Sequence, residues 1–116
     1  MTPAITPRRY ERVGLRKGPW VAWQGPGGRA VSRASTLGLG GLFIEAPEPA
    51  AIGAGIKMVF NVAGGEVRAR AMVRNLDPGR GMGVEFVFMR PEDRARLARQ
   101  VRKLLAAIAR KTEQVR

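Results

Sequence analysis

Cysteine and histidine are both absent from this 116-residue chain. Without cysteine there is no disulfide and no thiol nucleophile. With histidine also missing, the usual zinc ligand sets and the commonest general base near neutral pH are excluded. Aromatic residues are scarce, at 6%, so there is no run of exposed rings of the kind single-strand nucleic-acid binders use for stacking. No apolar run approaches the roughly 18 residues that a membrane-crossing helix needs. The opening stretch MTPAITPRRYERV has no apolar centre of a signal peptide, so a cytoplasmic protein without a membrane span is expected. No nucleophile–base pair or carboxylate cluster stands out. A binding protein is therefore expected rather than an enzyme, with no metal and no resident cofactor.

Acidic residues are also few. Nine Asp and Glu face 21 Lys and Arg, which leaves a net charge of +12. Such a chain attracts anions: nucleic acid, nucleotide phosphates or an acidic membrane surface. Most of the cations are Arg, and the same chain is rich in Ala and Gly, a composition that GC-rich coding also produces without functional demand. Charge alone predicts weak, salt-sensitive contact with nucleic acid and no specific complex.

What is present fits one small domain. Apolar residues make up 45% of the chain, enough for a globular core. Residues 1–12, with Pro3 and Pro7, read as a flexible arm. From Val13 the chain looks extended, carrying Trp20 and Trp23 on opposite faces of one strand, of which at least one belongs to the core. Pro26-Gly27-Gly28 turns it back into a strand at 29–36, and further strands follow at 42–46 and 56–62. Ala63-Gly64-Gly65-Glu66 has hairpin chemistry. The stretch VRARAMVRNL at 67–76 alternates: Val67, Ala69, Ala71 and Val73 share one face, and Arg68, Arg70, Met72 and Arg74 the other. This is a half-buried strand with a basic outer face. Residues 81–89 form the last strand. Over 90–111 the period changes to that of a helix. Pro91 suits its first turn, Glu92 and Asp93 its positive end, and Arg110 and Lys111 its negative end. Leu97, Val101, Leu104, Leu105 and Ile108 make one apolar stripe, while Arg94, Arg99, Arg102 and Lys103 read as solvated charge. The organisation expected is an arm at 1–12, a β-barrel at 13–89, a helix at 90–111 and a tail at 112–116. Short strands divided by turns favour a small barrel or sandwich closed by the helix.

One stretch is harder to place. STLGLGGLFIE, residues 35–45, puts Gly38, Gly40 and Gly41 at the entrance to a strand. Glycine there marks a bend, or a place where another group approaches the backbone. With RRYERV at 8–13, LGLGGLFIEAPEPAAIGAGIKMVFNV at 37–62 and GMGVEFVFMRPEDRARL at 81–97, it resembles the PilZ domain family along almost the whole chain. The resemblance implies a mainly-β fold: a six-stranded antiparallel β-barrel with a C-terminal α-helix. It also implies a receptor for the bacterial second messenger cyclic di-GMP. Two family motifs carry that ligand. Arg8 and Arg12 match RxxxR, with Arg9 beside them. The second motif, Asp/Asn-x-Ser-x-x-Gly, registers on Thr36, Gly38 and Gly41. It therefore lacks its acid and its serine, which implies weakened binding. A shifted register on Arg33, Ser35 and Gly38 recovers the serine and the glycine but puts a cation at the acid's place. The ligand-binding residues implied are Arg8, Arg9, Arg12, Thr36, Gly38, Gly40 and Gly41. Two functions follow as expectations: a cyclic di-GMP receptor that acts on a partner protein, and a ligand-independent interaction module, as in motility or pilus machinery.

Overall fold

The structure is a computed structural model and describes residues 12–114. Seven strands precede one helix: β1 (Arg12–Gly14), β2 (Trp20–Gly25), β3 (Gly28–Gly38), β4 (Gly41–Glu45), β5 (Gly55–Val62), β6 (Gly65–Asp77), β7 (Gly81–Met89) and α1 (Pro91–Gln114). Every pairing is antiparallel, in the order β3-β2-β5-β6-β7-β4. A further β3–β4 pairing closes these six strands into a barrel. β1 lies outside the closed ring and, among the described residues, pairs only with β3. Closure leaves none of the six barrel strands with an open edge that could template association.

The interior follows from alternation. Val67, Ala69, Ala71 and Val73 point inward and are buried, while Arg68, Arg70 and Arg74 are exposed. The same period-two logic puts Val21 and Trp23, Met58 and Phe60, Met82 and Val84 in the core. Phe60 and Phe86 stack with centroids 6.3 Å apart. Trp23 is buried, and its indole N–H donates to Ser32 Oγ at 3.3 Å. Trp20 lies on the outer face, 56% exposed, under the Arg33 guanidinium at 4.2 Å.

The extended segment expected from Val13 is broken between β1 and β2. The cause is local. A Cβ on Gly18 would lie 1.6 Å from the Ala34 carbonyl oxygen, so the two backbones meet there and only glycine fits. Pro19 follows, and its carbonyl accepts from Ala34 N–H at 3.0 Å. The chain kinks, then resumes as β2.

α1 extends through Gln114, into the stretch expected to be a tail. Leu97 and Val101 are buried on the barrel, each burial stabilising by about 1.5–3 kcal/mol. Leu104 and Leu105 pack at the margin, and Ile108, expected in the same stripe, is 47% exposed. Two polar contacts fix the helix to the β5–β6 hairpin: Ala63 N–H donates to Gln100 Oε1 at 3.0 Å, and Arg96 donates to the Glu66 carbonyl at 3.2 Å.

Candidate functional site

The site implied by the sequence forms where β1 lies along the end of β3. Cα pairs run Arg12 to Gly38, Val13 to Leu37 and Gly14 to Thr36. The short β1 strand thereby brings Arg12, the second arginine of RxxxR, to the glycine-rich segment. Arg8 and Arg9 lie outside the described residues.

At Gly41 the need for glycine is steric. A Cβ built there would fall 2.0 Å from the Val84 carbonyl oxygen and 2.9 Å from Arg12 Nη2. Arg12 Nη2 itself donates to that carbonyl at 3.2 Å. The group that approaches Gly41 is therefore the barrel's own wall, with the Arg12 guanidinium laid across it. The turn between β3 and β4 is held from two further sides. Phe86 N–H donates to the Gly40 carbonyl at 2.8 Å, and Arg94 Nη1 donates to the Leu39 carbonyl at 3.4 Å.

Thr36 sits beside a β-bulge. Ala34 pairs with Ile44 and Thr36 with Phe43, so Ser35 is the extra residue on β3. Its carbonyl accepts from Leu15 N–H at 2.8 Å. Thr36 Oγ1 accepts from Phe43 N–H at 3.2 Å, so the hydroxyl serves the strand junction. Gly38 ends β3, is buried, and is not among the glycines of positive φ. Its backbone is one that an L-residue adopts.

Arg12, Thr36, Gly38, Gly40 and Gly41 are thus brought together. Arg33, which anchors the shifted register, is engaged elsewhere: it donates to the Gly18 carbonyl at 3.0 Å as well as covering Trp20. Arg94 belongs beside the site although its position on α1 reads as solvated charge. A contact across 55 positions leaves no trace in local sequence. Glu85, opposite Gly41 on β7, is the nearby anion by register, and Arg74 holds it at 3.1 Å. The balance of described charge around the turn is therefore cationic, suited to phosphate and, through the guanidinium fork and plane, to guanine.

The sequence matches the PilZ domain family model over residues 6–103. Together with the closed six-stranded barrel, its outer strand and its C-terminal helix, this places the chain in the PilZ domain family. No curated protein matches it. Several solved structures share the fold, among them these three. The PilZ domain of YcgR from Escherichia coli, determined with c-di-GMP, has a TM-score of 0.68 at 19% identity, covering 94% of this chain and 99% of that one. The K. pneumonia MrkH–c-di-GMP complex has a TM-score of 0.74 at 20% identity, covering 90% and 54%. The Bacillus subtilis inhibitor of motility MotI/DgrA has a TM-score of 0.68 at 19% identity, covering 88% and 53%. The chain thus spans about half the length of the MrkH and MotI chains.

Proposed function

We propose that this protein is a cyclic di-GMP receptor of reduced affinity that acts on a partner protein. The observation that carries the reading is the placement of Arg12 across Gly41 and opposite Gly38, so that one arginine of the first motif stands on the surface of the second. Arg8 and Arg9 precede that strand by a few residues in the sequence. In this reading Arg8, Arg9 and Arg12 take the phosphates and stack on or fork to the guanines beside the glycine-rich turn, where Gly40 is half-buried and Gly38 and Gly41 are buried. YcgR and MrkH, each solved with c-di-GMP, support the ligand class.

The reduced affinity follows from two residues. An acid at position 36 would accept two hydrogen bonds from guanine. Thr36 offers one hydroxyl, which already accepts from Phe43 N–H and cannot supply the paired acceptors of a carboxylate. Gly38 supplies no hydroxyl. Losing one bidentate base contact costs about 1–3 kcal/mol, and losing both side chains weakens binding by about two to four decades.

That same Thr36–Phe43 bond favours a second reading, a binding module that has given up the messenger and keeps the barrel for protein contacts. Calorimetric titration separates the two. The receptor reading expects saturable heat with cyclic di-GMP that Arg12→Ala removes. A flat titration of the folded protein, even at high ligand concentration, leaves the interaction module.

A further inference from the structure

We propose that the outer face of β2, β5 and β6 is a docking groove for an acidic, amphipathic segment of a partner protein. The proposal rests on the reading that this domain acts on a partner, and it does not require the messenger to be bound.

The groove has a volume of about 790 Å³. Its floor is built by register. Ala22 on β2 stands opposite Val31 on β3 and Val59 on β5, so three apolar side chains run in line across three strands. Phe88, near the end of β7, adds an aromatic ring at one side. Val31 is 65% exposed and Phe88 61%. These are barrel positions at which the alternation would ordinarily place polar side chains. Grouped apolar exposure of this kind marks a surface that is covered in use.

The rim is cationic. Val59 stands opposite Arg68, Phe88 opposite Arg70, and Gln24 opposite both Lys57 and Arg29. Arg90 closes the Phe88 side. Glu66 pairs with Arg68 at 2.7 Å. Among the described residues, Arg29, Lys57, Arg70 and Arg90 have no ion-pair partner. The acid in the lining, Asp93, is buried and held by Arg96 at 3.1 Å. The groove therefore presents an apolar floor between unmatched positive charges. Phosphate groups alone would meet the charges and leave Val31 and Phe88 wet. A segment with apolar side chains toward the floor and carboxylates toward the rim satisfies both.

The groove is separate from the messenger surface. On β3 the groove uses Arg29 and Val31, and the candidate ligand site uses Thr36 and Gly38 toward the other end, roughly 17–23 Å from Val31 along an extended strand. One strand thus runs from the ligand surface to the proposed partner surface.

The test is fluorescence polarisation with a short labelled peptide that alternates glutamate and leucine. Controls are the same peptide with lysine for glutamate, the same with serine for leucine, phosphatidylglycerol vesicles and a DNA duplex. The glutamate–leucine peptide is expected to bind the wild-type protein saturably, and both altered peptides to bind at least ~10-fold more weakly. Arg68→Glu with Arg70→Glu should weaken it by at least ~10-fold, and Phe88→Ser by at least ~5-fold. These positions are exposed, and matching circular-dichroism melts verify the fold. The peptide comparisons use the wild-type chain and decide the matter without any variant. Equal binding of the lysine or serine peptide, indifference to the substitutions, or vesicles or duplex binding through these residues in place of the peptide would overturn the proposal. The assay contains no cyclic di-GMP. Silence here leaves the messenger reading standing, and a flat calorimetric titration leaves the groove standing.

Discussion

At the scale of single residues, Gly41 and Thr36 show how structure and site share the same atoms. Gly41 has no room for a methyl group between the Val84 carbonyl and Arg12. Gly41→Ala should destabilise the barrel by about 1–3 kcal/mol through overpacking. A domain of this size loses several degrees of melting temperature for each kcal/mol, so an unchanged melt would show that the β4–β7 approach is looser than described. Thr36→Val deletes the acceptor for Phe43 N–H and should cost about 1–3 kcal/mol, again read by thermal melting. Thr36→Ser keeps the acceptor and should melt close to wild type. The close approach at Gly41 was legible, because glycine at a strand entrance has few other reasons to be there. Its neighbour was not. The carbonyl of Val84 reaches Gly41 through strand pairing, and the bulge that places Thr36 against Phe43 depends on a register that sequence spacing does not display.

At the scale of elements, alternation and periodicity carried most of the information. β6 reads correctly residue by residue from Val67 to Val73, because its two faces differ so sharply in chemistry. The helix was equally legible in its core turns and less so at its far end. Ile108 continues the apolar period but is nearly half exposed, where Leu97 is fully buried. Leu97→Ala should therefore cost about 2–5 kcal/mol, while Ile108→Ala should cost well under about 1 kcal/mol. Chemical denaturation of the two variants checks the contrast. Equal losses would mean that the last turns pack as tightly as the first. The division of the first extended segment into β1 and β2 was not legible. It stems from the contact of Gly18 with the Ala34 carbonyl, which only the folded sheet creates.

At the scale of the whole molecule, a net charge of +12 sets the background against which any specific site works. Binding to DNA or RNA should fall log-linearly with salt and show no preference for sequence. A tight, sequence-selective complex at physiological salt would instead make nucleic acid the primary ligand. The fold was legible because the strand and helix signals run in an order shared with PilZ domains. The strength of the site was not, because the second motif's polar side chains are replaced and half of the first motif lies outside the described residues. Restoring those side chains tests the central claim most directly. Titrate cyclic di-GMP calorimetrically into Thr36→Asp alone, and into Thr36→Asp with Gly38→Ser. An aspartate at 36 can still accept from Phe43 N–H, and Gly38 is not among the glycines of positive φ, so a serine there meets no left-handed backbone strain. Affinity should rise at least ~10-fold in the double variant, as one recovered bidentate base contact is worth about 1–3 kcal/mol. Adding Arg8→Ala or Arg12→Ala should abolish the gain. A folded double variant that gives no heat at high ligand concentration would contradict the account and show that the messenger surface has been lost in shape as well as in side chains.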